Sequence, residues 1–163
     1  MKSILFIFLM ILTSCARTSV TEKEARNLKN EIKNQKDAES FFWLKSYYES
    51  TEYPEEILPY ALMLTKDSSK TGCYNFYEQY LKIFNSGKFD RKSFYKLDKE
   101  ERKYLIYILN KGALNGDEYC QDELFFYFND KNGTEKNKYK ADSLYKLLPT
   151  SKASEQRLKY NKN

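Results

Sequence analysis

The most reactive side chains in this sequence are three cysteines, Cys15, Cys73 and Cys120, and the sequence contains no histidine. A cysteine thiol can be attached to a lipid or to a second thiol. Without histidine the chain lacks the usual general base near neutral pH, the His-dependent catalytic triads and the commonest transition-metal ligand. Most acid–base and nucleophilic catalysis is therefore excluded.

Paired carboxylates are the other residues that could do chemistry, since two carboxylates across a cleft can hydrolyse a glycoside. They occur at Glu55-Glu56, Glu100-Glu101 and Asp117-Glu118. Each pair falls at a predicted helix start, where negative charge interacts favourably with the helix dipole. We therefore interpret the pairs as helix caps.

Residues 130–135 loosely follow a calcium loop, with Asp130, Asn132, Gly133 and Glu135. The EF-hand spacing fails because no glutamate follows at the twelfth position. Walker, dinucleotide-binding and nucleophile-elbow sequences are also absent from the chain. The sequence predicts a protein that is not an enzyme and that has no cofactor or metal site.

The first residues have the three parts of an export signal. Lys2 precedes an apolar run from Ile4 to Leu12, and small residues follow this run. The run is too short to span a bilayer as a helix, so we expect residues 1–14 to be removed. The chain is thus predicted to leave the cytoplasm.

The end of this signal, Leu12-Thr13-Ser14-Cys15, resembles the lipobox of bacterial lipoproteins. The resemblance implies that Cys15 becomes the first mature residue, carries the lipid anchor (palmitate) and begins a tether over residues 15–20. Ala16 stands where an Asp would resemble an inner-membrane retention signal, which points to the outer membrane, facing the periplasm. The alternative is an ordinary secretory signal with an incidental cysteine.

Charge is mild and well mixed: 28 Lys and Arg against 23 Asp and Glu give a net charge of +5. A nucleic-acid-binding protein would concentrate its basic residues on one face or in one block. Here both signs are interspersed up to residue 150, so we exclude nucleic acid as a partner. The tail over residues 150–163 is basic and poor in core residues, and we predict it to be flexible.

Apolar residues recur at helical spacing, and no stretch shows sustained period-two alternation. Helices are predicted over residues 22–34, 37–49, 98–111 and 138–148, with three more beginning at Pro54, after Gly72 and after Asp117. The clearest apolar face consists of Cys73, Phe76, Tyr77, Tyr80, Leu81 and Phe84. Trp43 and Tyr104 are also expected in the core. Phe94 lies in a segment that connects two predicted helices.

One helix pair resembles the hinge of Sel-like repeats, which are relatives of tetratricopeptide repeats. The matching residues are Gly112, Ala113, Gly116, Cys120, Leu124 and Tyr127. Ala61, Gly72 and Cys73 fit the same pattern more loosely. The resemblance implies stacked hairpins that present a face to another protein. We predict an all-α domain over residues 21–149, either a short α-solenoid of stacked hairpins or a compact helical bundle.

After export, Cys73 and Cys120 either form one disulfide or act as two small buried side chains. The repeat resemblance places both at the small-residue position of a second helix, where each faces its own first helix. A disulfide needs the two Cα atoms within about 7 Å of each other, and this placement does not fix that distance. The disulfide and the two separate buried thiols therefore both stay open.

These observations together predict a lipid-anchored envelope protein that binds another protein in the periplasm. We favour an immunity or inhibitor protein that neutralises a toxic effector, because the chain is small and aromatic-rich and lacks catalytic motifs. The alternative is a structural adaptor of an envelope or secretion assembly.

Overall fold

The computed structural model describes residues 20–35, 37–66, 71–129 and 137–147, and every regular element in these segments is helical. They contain the α-helices α1 Glu22–Gln35, α2 Ala38–Glu49, α3 Leu58–Thr65, α4 Gly72–Phe84, α5 Lys99–Leu114, α6 Glu118–Asn129 and α7 Lys138–Leu147. Short 3-10 helices precede α3 and α5, at Pro54–Ile57 and Arg91–Lys96. The all-α prediction is confirmed.

Several predictions fall on residues outside these segments. They concern the signal over residues 1–14, the lipidated Cys15, the loop over residues 130–135 and the tail over residues 150–163. Within the segments that are described, no helix is long and apolar enough to cross a membrane.

Capping boxes begin α1 and α5. The Thr21 N–H donates to Glu24 Oε2 at 2.8 Å, and the Glu24 N–H donates to Thr21 Oγ1 at 3.3 Å. At α5 the Asp98 N–H donates to Glu101 Oε2 at 2.9 Å, and the Glu101 N–H donates to Asp98 Oδ1 at 2.8 Å. These bonds satisfy backbone donors that a helix start leaves without partners.

Consecutive helices pack in pairs, α1 with α2, α3 with α4 and α5 with α6, and α7 packs on α6. Neighbouring pairs meet through α1 with α3 and through α4 with α5. Each pair thus buries its apolar side against the next pair along the chain. This order of contacts is compatible with both predicted architectures, the short solenoid and the helical bundle.

Glycines allow two of these helix pairs to approach closely. A Cβ atom on Gly72 would collide with the backbone carbonyl of Leu64 in α3. A Cβ atom on Gly112 in α5 would collide with Cys120 and Cys73. The small-residue positions singled out in the sequence therefore lie where helices touch.

The apolar core is continuous from α1 to α7. Its largest fully buried side chains are Tyr77, Tyr127, Phe41, Phe94, Ile32, Leu44, Ile57, Leu64, Leu81, Leu105, Leu109 and Leu124. The connecting segment before α5 contributes to it, because Phe94 stacks on Tyr127 with ring centroids 3.9 Å apart. This segment forms a 3-10 helix rather than an extended connection, and it brings Arg91 against α6.

The sequence pattern overstates how many aromatic side chains are buried. Tyr104 is predicted inward but is 42% exposed, and Phe84, at the end of the clearest apolar face, is 43% exposed. Trp43, predicted as core, is only partly buried. The physical reason is that neighbouring helices cover only one sector of each helix, and the apolar stripe is wider than that sector.

Candidate functional site

The two described cysteines lie together in the core. Cys73 in α4 and Cys120 in α6 are both buried, and both approach Gly112 in α5. The Cβ position of Gly112 is 2.8 Å from Cys73 Cβ and 3.1 Å from Cys120 Cβ, so the two cysteine Cβ atoms are at most about 6 Å apart. The thiols thus face a shared neighbour, and a disulfide between them stays a prediction.

Neither thiol is activated for chemistry. Burial raises the pKa of Cys73 and, together with the nearby Asp117, raises the pKa of Cys120 strongly. Cys120 Sγ donates to Asp117 Oδ2 at 3.2 Å. A nucleophilic cysteine needs the opposite, a lowered pKa and access to solvent.

Two of the three acidic pairs contribute a helix cap, as the sequence predicts. Glu101 completes the capping box of α5. Asp117 is buried and accepts the Tyr119 N–H at 3.0 Å, at the start of α6. In the third pair, Glu56 accepts the Tyr48 hydroxyl of α2 at 2.9 Å, which is a bond to another helix and not a cap. Among the described residues, no cluster of His, Cys, Asp or Glu could hold a metal ion.

A half-open cavity of about 260 Å³ lies between α1 and the end of α2, beside Arg26 and Tyr48. Its polar side chains largely satisfy one another. Arg26 pairs with Glu22 at 3.1 Å, and the Tyr48 hydroxyl donates to Glu56. The cavity therefore presents little that would select a ligand.

A buried ionic cluster, which we call the Arg91 cluster, joins the second 3-10 helix to α4 and α6. It consists of Arg91, Asp122, Glu123, Tyr77 and Tyr127. Arg91 Nη2 is 2.6 Å from Glu123 Oε1 and 3.0 Å from Asp122 Oδ2. The Tyr77 hydroxyl donates to Glu123 Oε2 at 3.0 Å and contacts the Tyr127 hydroxyl, which donates to the Arg91 carbonyl at 3.2 Å.

Burial dominates the electrostatics of this cluster. Glu123 is 1% exposed, and desolvation raises its pKa in spite of the neighbouring Arg91. Desolvation and the Glu123 charge raise the pKa of Tyr77 strongly. The carboxylates raise the pKa of Arg91 against its own desolvation, so the guanidinium stays charged. The cluster holds Arg91 in place because a buried carboxylate needs its partner.

Directly outside this cluster lies a surface that we call the aromatic face, formed by Tyr74, Tyr119, Asp122, Phe126 and Arg91. Tyr119, Asp122 and Phe126 recur at i, i+3 and i+7 on α6, so they share one side of the helix. The Tyr74 and Tyr119 rings are 5.0 Å apart with a 30° tilt. The Arg91 guanidinium lies 4.7 Å from the centre of the Phe126 ring. Tyr119 is 52% exposed, which makes it the most accessible aromatic side chain of the face.

Sequence reasoning missed both the Arg91 cluster and the aromatic face. It gave no role to Arg91 or Glu123. One signal was present: Glu123 lies three positions after Cys120 and next to Leu124, which places its carboxylate on the buried side of α6. A carboxylate at such a position needs a partner, although the sequence does not say which.

The chain was compared with protein-family models, with curated proteins and with solved structures. No family model matches it, and neither of the other two comparisons finds a significant match.

Proposed function

We propose that this chain is a lipid-anchored envelope protein whose helical domain binds another protein through the aromatic face. The observation that carries the proposal is a set of Tyr, Phe and Arg side chains at the surface, Tyr119 exposed and Tyr74, Phe126 and Arg91 partly exposed, next to the Arg91 cluster. Tyr and Arg dominate the binding energy of protein interfaces. Cys15 and its resemblance to a lipobox supply the anchor in this proposal.

Rigidity of the face supports a binding role. Arg91 is fixed by two carboxylates, and Tyr119 rests on Tyr74 from the neighbouring hairpin. Ordering a flexible side chain on binding costs about 0.5–1.5 kcal/mol, and a side chain that is already ordered avoids most of this cost. A preorganised face suits one tight partner.

Within this class we favour an immunity or inhibitor protein that neutralises a toxic effector in the periplasm. The sequence supplies no catalytic motif, and the described thiols are buried while Glu101 and Asp117 cap helices. An anchor at Cys15 would station the domain at the membrane surface where an effector arrives. Such a protein needs a single binding face and no chemistry of its own.

The test first looks for a candidate effector gene next to the gene of this chain, and then expresses the full chain together with that candidate effector, exported to the periplasm. Absence of any such neighbour would also count against the proposal. We expect the wild-type chain to restore the growth of cells that express the effector. The Tyr119→Ala variant should lose most of this protection. Tyr107→Ala is the matched control, because Tyr107 is 62% exposed on α5, away from the face. Equal protection by both variants, or no protection by the wild-type chain, would refute the proposal.

One observation favours the second candidate, a structural adaptor. A separate stripe on α5 contains Tyr107, 62% exposed, and Leu114, 88% exposed, on the side opposite the buried Leu105 and Leu109. An adaptor uses two faces to hold two components. It predicts that cross-linkers placed at Tyr107 and Tyr119 capture two different envelope proteins, whereas an inhibitor yields one partner, captured at Tyr119.

A further inference from the structure

The aromatic face is locally acidic, although the chain as a whole carries a net charge of +5. Burial is the main cause of the raised pKa of Tyr74. The carboxylates of Glu123, Glu78 and Asp122 raise this pKa further, and the Arg91 guanidinium opposes them. Glu78 is balanced by Lys45 and Lys82, at 3.2 and 3.1 Å. The remaining charges beside the Tyr74 ring are the carboxylates of Glu123 and Asp122 and the single guanidinium of Arg91.

The more accessible of these two carboxylates is Asp122, whose side chain is 20% exposed. Glu123 is nearly fully buried and makes the shorter contact with Arg91, 2.6 Å against 3.0 Å for Asp122. Asp122 uses only its Oδ2 atom for that contact, and its Oδ1 atom has no hydrogen-bond partner among the described residues. A carboxylate oxygen is thus available next to the aromatic rings.

The chain itself shows how this face holds a cation. Arg91 lies over the Phe126 ring and at the same time pairs with Asp122. Phe126 follows Asp122 by four positions, and Tyr119 precedes it by three, so Asp122 lies between two aromatic side chains of α6. A second guanidinium over Tyr119 would reach Asp122 from the other side.

We propose that Tyr74, Tyr119 and Asp122 form the receptor for an arginine side chain of the protein partner. The guanidinium stacks on the Tyr119 ring and donates to Asp122 Oδ1. Arginine fits better than lysine because its planar guanidinium stacks on rings and donates in a fork, whereas an ammonium is a compact and strongly hydrated charge. This inference rests on the proposed function, since it assigns the chemistry of the partner at the same face.

The experiment titrates the protein, purified from cells that express the full chain, with the peptide acetyl-Gly-Arg-Gly-amide. The readout is the NMR shift of the Tyr119 and Tyr74 ring signals. The control peptides replace arginine with citrulline, which has the same shape without the charge, or with lysine. We expect saturable shifts with the arginine peptide, at least tenfold weaker binding of the citrulline peptide, and weaker binding of the arginine peptide at high salt.

The variants locate the site. Asp122→Asn and Tyr119→Ala are each expected to lower the affinity for the arginine peptide at least fivefold, while Tyr107→Ala leaves this affinity unchanged. Circular dichroism checks that each variant is folded. If Asp122→Asn does not fold, Tyr119→Ala carries the test alone. Equal binding of the arginine and citrulline peptides, or shifts unaffected by Tyr119→Ala, would overturn the inference.

The two proposals fail in different ways. If the arginine peptide binds at Tyr119 but the chain protects against no effector, the arginine receptor stands and the inhibitor role is wrong. If protection depends on Tyr119 but the peptide produces no shift, the inhibitor role stands and the arginine receptor is wrong.

Discussion

Removing Arg91 is the perturbation whose effect follows most directly from the structure. Arg91→Ala would leave Glu123, which is 1% exposed, with the Tyr77 hydroxyl as its remaining donor in the Arg91 cluster. Breaking a buried ion pair by removing one partner costs about 3–5 kcal/mol. The Arg91 side chain is 31% exposed, so water can reach part of the site and lower this cost. We expect the free energy of unfolding to fall by about 2–4 kcal/mol, and Tm by roughly 5–15 °C.

The assay is urea denaturation followed by circular dichroism at 222 nm and by the fluorescence of Trp43, the single tryptophan. Lys92→Ala is the matched control, since Lys92 is an exposed neighbour on the same 3-10 helix, and we expect a change within about 0.5 kcal/mol. The double variant Arg91→Ala/Glu123→Gln removes the stranded charge but keeps an acceptor for Tyr77. It should be more stable than Arg91→Ala by about 1–2 kcal/mol.

Two outcomes would contradict this reasoning. One is an Arg91→Ala variant as stable as Lys92→Ala, which would mean that Glu123 has no need of its partner. The other is a double variant that loses the sum of the two single effects, which would mean that the two side chains act independently.

Three further predictions follow. Gly112→Ala should lower stability by about 1–3 kcal/mol in spite of the better helix propensity of alanine, because the new Cβ collides with Cys73 and Cys120; adding Cys120→Ala should recover part of the loss on thermal unfolding. The pKa of Glu123 is raised, so its contribution to stability is fully present below the ordinary value of 4.5 and is lost as pH rises through the raised value. Urea unfolding at a series of pH values should therefore show the wild-type protein losing stability relative to Glu123→Gln as the pH rises above 4.5. If the cysteines are free thiols, a thiol reagent should label Cys73 and Cys120 only after denaturation, because both are buried with raised pKa values; unlabelled cysteines in denatured, unreduced protein would instead indicate the disulfide.

Helix positions could be predicted well because their signals are local. The pairs Thr21 with Glu24 and Asp98 with Glu101 fix two helix starts through bonds within one turn. The predicted helix over residues 22–34 is Glu22–Gln35 in the structure. The repeat-like residues Gly112 and Cys120 were likewise expected at a close helix contact, and they touch.

Exposure of aromatic side chains could not be predicted in the same way. Tyr77 and Tyr104 both lie at apolar positions of their helical patterns, yet Tyr77 is fully buried and Tyr104 is 42% exposed. Periodicity tells which side of a helix is apolar, but the width of the covered sector depends on where neighbouring helices lie. The aromatic face arises from that difference.

The sequence by itself determined the helical class, the helix starts and the caps at Glu101 and Asp117, because these depend on residues within a turn of one another. It also predicts the export signal and the anchor at Cys15. Only the tertiary structure decided that Arg91 meets Glu123 and that Tyr74 meets Tyr119, because each pair joins segments far apart in the chain. Such pairs form only when the hairpins stack, since a carboxylate that becomes buried is stable only if a cation pairs with it.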